Sequence, residues 1–282
     1  MDQGRRDATV GSGFDPHAYW ESRLSEAWNL EGVGNSGLGR SYNRWMYRVR
    51  RSRFLSQVAR TNLELRRADV LDVGSGTGFY LDLWRHLGVA SVTGSDLTEA
   101  AFERLRATRP WARFERFDIG GDAVPFADAS FDAISIMDVF FHVVDDANFG
   151  RAIANVARLL RPGGTLIFSD AMLRTSPPQG SARTPEHVVR RSLAAVREVL
   201  AAHGLEIVDR RPMFVLMAAP LDSGGSVRGG LWAVVRSVAS LGEVGSWLMG
   251  ALLYPVERTL LSVAREGPSV KLATATLRNE SR

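Results

Sequence analysis

The chain has no cysteine, so disulfides, zinc–thiolate sites and cysteine nucleophiles are all excluded. It has a single lysine, Lys271 near its end, so no lysine is available as a Schiff-base nucleophile in the central region. The other basic residues are arginine, and the net charge of +4 does not call for a nucleic-acid partner. No apolar run is long enough to cross a membrane, because Arg236 and Glu243 interrupt the longest one. Met1–Gly13 is polar and has no apolar signal-peptide core, which makes a cytoplasmic location the default and a loosely attached terminus the expectation. No internal repeat is present.

What is present is alternation. From Asp69 onward short apolar runs and amphipathic stretches take turns. Strands are expected at Val70–Val73, Ser91–Ser95, Arg113–Phe117, Ala133–Met137 and Thr165–Ser169. Helices are expected at Tyr80–Leu87, Thr98–Ala107 and Asp146–Leu160. In the last of these Phe149, Ile153, Val156 and Leu160 form one stripe, and Arg161-Pro162-Gly163-Gly164 reads as its stop. Repeated βα units imply an α/β fold with a mostly parallel sheet covered by helices on both faces. A further helix is expected from a Thr184 N-cap and Pro185 to His203, then strands at Leu205–Leu216 and Ser269–Leu277.

The two ends are helical. A first helix is expected over His17–Asn29 and a second over Ser41–Thr61, joined by a glycine-rich connector. The second carries Arg44, Arg48 and Arg51 on one side. It reads as a solvated arginine face, as a nucleic-acid footprint, or as a cover for a ligand that Tyr42 or Arg48 would meet. Between Asp222 and Gly267, Leu231–Leu241 and Val244–Tyr254 are strongly apolar, and Pro255 is expected to start a third helix. This insertion reads as a lid or pocket wall, a homodimer face, or a peripheral membrane contact through residues 231–256. Four segments follow: a cap at 1–62, an α/β core at 63–220, the insertion at 221–268, and a last strand with tail at 269–282.

The densest signal is V-L-D-V-G-S-G-T-G, Val70–Gly78. A strand turning sharply into a helix needs residues that tolerate positive φ and let a ligand approach backbone, and the helix N-terminus offers N–H groups to ligand oxygens. The dinucleotide fingerprint G-x-G-x-x-G fails, because Phe79 or Leu81 stands where its third glycine belongs.

This stretch resembles motif I of the class I S-adenosylmethionine-dependent methyltransferases, small-molecule type. Val124-Pro125-Phe126 with Ser130-Phe131-Asp132, and Leu159-Leu160-Arg161-Pro162-Gly163-Gly164-Thr165, resemble that family's approaches to its fourth and fifth strands. The resemblance implies a Rossmann-like seven-stranded sheet and S-adenosyl-L-methionine as cofactor. It implies that Asp72 and the backbone of Gly74, Ser75, Gly76 and Gly78 surround the methionine part. Asp96 would accept from the ribose hydroxyls, with Leu97 on the adenine. Asp118 would take the adenine amino group beside Ile119, and Met137, Asp138 and Val139 would line the other side.

The segment Met137–Val143 resembles the E-V-L-E-H-V stretch of ubiquinone-pathway and other small-molecule methyltransferases. His142 is therefore the candidate general base for an O-methylation by in-line displacement, or a histidine that only packs its loop. Phe141 stands where that stretch has its second acid, so no metal site is expected. The implied acceptor is small and apolar or amphiphilic. A nucleic-acid methyltransferase and a cofactor-binding protein that transfers no methyl are the alternatives.

Overall fold

The structure is a computed structural model that describes residues 14–35, 37–174, 187–222 and 226–279. The expectations placed on Met1–Gly13 and on Thr184–Glu186 lie outside those residues. Five apolar runs pair in parallel: β1 (Asp69–Val73) with β2 (Ser91–Asp96) and β4 (Phe131–Ile136), β2 with β3 (Arg113–Arg116), and β4 with β5 (Leu160–Asp170). β7 (Lys271–Leu277) inserts antiparallel between β5 and β6 (Leu205–Pro212), which gives a seven-stranded sheet in the order β3-β2-β1-β4-β5-β7-β6.

Alternate strand residues feed two cores, as the two-residue strand period requires. Val70, Ala133, Ile167 and Leu272 face one core, with α2 (Gly39–Val58), α3 (Phe79–Leu87) and α8 (Glu243–Val263). Leu71, Ile134, Leu166, Phe168 and Ala273 face the other, with α5 (Asp146–Leu159) and α6 (Leu193–Ala202).

Several boundaries differ from the expectation. Helix α5 ends at Leu159, but Arg161–Gly164 belongs to β5, where Arg161 ties Asp69 at the foot of β1 (2.9 Å) to Asp132 near the foot of β4. Helix α6 starts at Leu193 with Ser192 as its N-cap, the hydroxyl accepting from Ala195 N–H. The insertion forms two helices, α7 (Ser226–Ala239) and α8, because Pro255 lies inside α8 without ending it. An internal proline costs about 3 kcal/mol. Packing of α8 along α2 before the proline, and the burial of Glu257 and Leu261 after it, hold the helix through it. Gly250 sits so close to Trp45 of α2 that a Cβ would fall 2.0 Å from the indole, and Tyr254 meets the same ring.

Acids of neighbouring helices satisfy helix starts. Glu243 of α8 accepts from the N–H groups of Arg40 and Ser41 at the start of α2, both at 2.9 Å. Glu21 of α1 (Pro16–Glu26) accepts from Glu99 and Ala100 at the start of α4 (Glu99–Thr108). Each places a carboxylate where the free N–H groups and the helix dipole favour it. Buried Glu257 of α8 does the same for a loop, accepting from Val215, Leu216 and Met217 N–H at 2.6, 2.7 and 2.9 Å. This loop replaces the last residues of the longer strand expected at Leu205–Leu216.

Two acids lie fully inside the sheet. Asp72 of β1 accepts from Ser135 Oγ at 2.5 Å, and Ser135 in turn accepts from Trp84 Nε1 at 2.9 Å. Asp170 ends β5. Burial pushes each carboxyl up to about 7, and one oxygen of each has no partner.

Glu257→Ala leaves three amide donors without an acceptor, and a loss of about 3 kcal/mol or more is expected in urea unfolding, at roughly 1–3 kcal/mol per orphaned buried group. The raised Asp72 carboxyl means that the folded chain holds a proton between about pH 4 and 7 that the unfolded chain releases, so this group removes stability as pH rises through that window. Asp72→Asn should therefore gain stability relative to the parent by up to about 1.4 kcal/mol per pH unit across it, read from denaturation midpoints at pH 5, 6 and 7.

Candidate functional site

The C-terminal ends of β1, β2 and β4 open into a cavity of about 910 Å³, at the place where open α/β sheets take ligands. The turn after β1 forms its floor. Gly74 and Gly76 have φ of 69° and 51°, and a Cβ on either would strike a neighbour: Val139 Cγ2 at 2.3 Å from Gly74, Val33 Cγ1 at 2.8 Å from Gly76. Val33 is brought there by Arg23, whose guanidinium donates to the carbonyls of Glu31, Gly32 and Gly34 and so folds the connector between α1 and α2 over the turn.

The N–H groups of the turn are largely engaged within the protein. Ser75 donates to Ser95 O (2.8 Å), Gly76 to Asp96 Oδ2 (2.8 Å) and Gly78 to Ser75 O (2.7 Å). Free amides for ligand oxygens, expected from the sequence, are thus absent at these three positions. A pyrophosphate would require such donors, so the geometry fits a ligand without phosphate.

Several expected residues meet at this cavity. Gly74, Ser75, Gly76, Asp96, Leu97, Asp118, Ile119, Met137, Asp138, Val139 and His142 all line it. Asp96 is buried and oriented by four groups: its other oxygen accepts from Thr98 N–H (3.0 Å) and Thr98 Oγ1 (2.8 Å), besides Gly76 on the first and the Leu97 backbone nearby. Burial pushes its carboxyl above the usual range despite these bonds. Asp118 is exposed and accepts from Gly120 N–H at 2.8 Å.

Three expected residues lie elsewhere. Tyr42 is fully buried between α2 and the loop before the insertion, donating to Met217 O at 3.2 Å; it faces away because α2 turns that side toward α8. Asp72 lies beneath the turn, on Ser135, and is not part of the cavity wall. Gly78 caps α3 at φ 85° under the Arg109 guanidinium, which pairs with Asp82 at 2.8 Å, and does not reach the cavity. Arg48, the alternative to Tyr42, is exposed over the Trp45 ring at 4.2 Å. Among the described residues none of α7 or α8 lines the cavity, and α8 packs along α2.

The cap does cover the cavity, through residues that the sequence did not single out. Tyr47, Trp20, Leu24 and Val33 line it. Behind Tyr47, Arg50 forms an ion pair with Asp138 in which both side chains are largely buried. The guanidinium lies over the rings of Tyr47 (5.4 Å) and Phe214 (5.2 Å). Asp138 stands at φ 60°, a conformation uncommon for a residue with a side chain. Ser169 Oγ holds it there, accepting from Asp138 N–H and donating to Oδ1, both at 2.8 Å. Arg50 Nε, Tyr80 OH and Ser95 Oγ are buried without partners. Unpartnered buried polar atoms are rare, and here three of them cluster on elements that form or adjoin the cavity floor. No periodicity marks Arg50 among the six arginines of α2; its role depends on the strand end it reaches.

His142 follows β4 in a short 3-10 turn, Phe140–His142. Its Nδ1 lies 2.7 Å from the carbonyl oxygen of His187. A carbonyl only accepts, so Nδ1 carries the proton and Nε2 keeps a lone pair. The ring stacks on His187 (5.6 Å, 16°) and meets Trp20 edge-on at 4.9 Å. Burial pushes its pKa down to about 4. Buried Arg191 fixes the turn from below, donating to Phe140 O and Val143 O and pairing with Asp146 at 2.7 Å.

Comparison with known proteins places this geometry. A family model described as a methyltransferase domain matches residues 71–168. The chain is 30% identical over 200 residues to an O-methyltransferase of Pyrenophora dematioidea, covering 64% of this chain and 73% of that protein. It is 36% identical over 105 residues to the ubiquinone biosynthesis O-methyltransferase of Albidiferax ferrireducens, covering 36% of this chain and only 40% of that protein's length. Among solved structures, an S-adenosylmethionine-dependent methyltransferase from Mesorhizobium loti matches with a TM-score of 0.51 at 19% identity, over 80% of this chain and 97% of that one, a likeness of fold. Aligned along nearly three quarters of one O-methyltransferase, the chain belongs to the class I S-adenosylmethionine-dependent methyltransferases, with S-adenosylmethionine as the cofactor.

Proposed function

We propose that the chain transfers a methyl group to an oxygen of a small apolar or amphiphilic acceptor, with His142 taking the acceptor's proton. The observation that supports this most directly is the orientation of His142 at the cavity wall. Its Nδ1–H is held by the His187 carbonyl, so the basic nitrogen, Nε2, is the one left available. O-methylation also fits the two relatives named above, both of which are O-methyltransferases by name.

The residues present suit the donor. S-adenosylmethionine supplies a methyl already activated on a sulfonium, so the chain's own part is to bind, orient and remove a proton. Asp96, with fixed oxygens at the end of β2, is placed to accept from ribose hydroxyls. Asp118 and Ile119 would meet the adenine. Tyr80 OH, buried without a partner at the cavity wall, would meet the methionine carboxylate. The cavity volume is at the upper end of the roughly 300–1,000 Å³ usual for small-molecule sites, room for a donor and an acceptor together.

The low pKa of His142 narrows the acceptor. A base that is neutral throughout the physiological range accepts a proton readily only from a group that is itself acidic. Phenols and enols fit; an aliphatic alcohol does not, and a carboxylic acid is already ionised at neutral pH and needs no base. Phe14, Trp20 and Val189 around His142 supply the apolar wall that such an acceptor would face.

Asp96→Ala should weaken S-adenosylmethionine about 10- to 100-fold in titration calorimetry, as the loss of charge-assisted hydrogen bonds worth roughly 1.5–3 kcal/mol implies. An unchanged affinity would remove Asp96 from the site. Phenolic and enolic acceptors screened with methyl-labelled donor should include a substrate. For that substrate His142→Ala should lower turnover by about 10²–10⁴-fold while leaving donor affinity nearly intact; equal turnover would eliminate the base. The rate should also stay level as pH falls from 8 to 5 and drop only as His142 protonates near 4. A break near 6.5 would mean an ordinary, solvated histidine.

A further inference from the structure

Of the eleven large apolar residues exposed among the described residues, ten lie on α7, α8 and the turn between them; Val208 is the other. On α8 they form one stripe, Val244, Leu248, Leu252, Val256 and Val263, at spacings of four or seven that keep them on one side of the helix. Trp247, 53% exposed, lies beside it. The opposite side of α8 is satisfied, with Gly250, Leu253 and Glu257 buried. No described residue of α7 or α8 lines the cavity. The stripe is therefore apolar surface that neither the core nor the donor site uses.

The charges around it have one sign. Helix α2, packed along α8, carries six arginines and no acid. Arg44 and Arg48, one turn apart, are exposed, and Arg48 rests on Trp45, whose ring meets Trp247 at 6.4 Å and Tyr254 at 5.1 Å. The two acids of α8 are both engaged with backbone amides: Glu243 caps α2 and Glu257 holds Val215–Met217. Exposed Arg228, Arg236 and Arg258 complete a basic setting on the helical pair itself. Aliphatic and indole side chains flanked by arginines match the depth profile of a bilayer interface, with apolar groups among the acyl chains, aromatics at the headgroups and guanidinium groups on phosphate. No helix among the described residues is long and apolar enough to span.

We propose that the exposed stripe of α8, with α7 and the Arg44–Arg48 edge of α2, docks the protein on the surface of an anionic lipid bilayer. The contact is peripheral. Apolar burial provides the anchor and the arginines make it selective for negative headgroups. It leaves the donor cavity intact, since the two surfaces share no residue.

The test is co-sedimentation of the full chain with vesicles of phosphatidylcholine alone and of phosphatidylcholine mixed with phosphatidylglycerol. Binding is expected to the mixed vesicles and to weaken strongly as salt rises from about 0.1 M to 1 M, where the Debye length falls from ~10 to ~3 Å. Arg44→Gln with Arg48→Gln should weaken it by about thirtyfold, at roughly fivefold per arginine. Leu248→Asp with Leu252→Asp should abolish it. All four positions are exposed, so the variants should keep parental circular dichroism and donor affinity, which separates a failed surface from a failed fold or a failed donor site. Equal binding to both vesicle types, or none to either, overturns the proposal. So does a concentration-dependent dimer that Leu248→Asp with Leu252→Asp dissolves, which would make the stripe a contact between copies of the chain.

Discussion

The buried ion pair between Arg50 and Asp138 is the constraint from which the site follows. Two largely desolvated charges are tolerable only together, because removing one leaves the other uncompensated at a cost of about 3–5 kcal/mol. Arg50 lies on the cap helix and Asp138 just past a central strand, so the pair makes the cap part of the site. It holds Asp138 in a left-handed conformation that redirects the chain after β4. That turn sets Val139 against Gly74 and carries His142 to the cavity wall. Ser169 on β5 completes the arrangement, so the ends of two neighbouring strands and one helix of the cap share a single polar node.

Glycine at positions 74 and 76 follows from the same packing. The motif is usually thought of as space for a ligand, yet the nearest atoms that a Cβ would strike belong to Val139 and Val33 of the protein. The turn is compressed between the loop after β4 and the connector between α1 and α2, and its amides are engaged by Asp96, Ser95 and Ser75. What it offers a ligand is shape and a fixed carboxylate at Asp96, which suits a cationic donor better than a phosphate-bearing one.

The helical pair α7–α8 has a different role from the rest of the chain. Its buried side stabilises α2 through the Gly250–Trp45 contact and the Glu243 cap, so it supports the cavity indirectly. Its outer side carries ten of the eleven large apolar residues exposed among the described residues. An acceptor that is itself amphiphilic would be met at such a surface, which connects the two proposals chemically while leaving each testable alone.

The α/β class, the strand positions, the glycine turn and the acids at strand ends could all be read from the sequence, because they depend on local periodicity and on residue types that a sharp βα turn requires. Asp96, Asp118 and His142 were identifiable through the resemblance of their segments to the methyltransferase family; Asp96 closes β2, and Asp118 and His142 follow β3 and β4 within a few residues, so all three emerge at the ligand end of the sheet. What only the tertiary structure decided was which residues of the cap point inward. Tyr42 and Tyr47 are equally plausible on a helix whose rotation is unknown, and that rotation is set by Gly250 against Trp45 and by Glu243, some two hundred positions away. The same holds for Asp72, which a motif places at the ligand but Ser135 and Trp84 draw into the core, and for Pro255, whose effect on α8 packing overrides. Local chemistry determined where ligands can bind; long-range packing decided which side chains meet them.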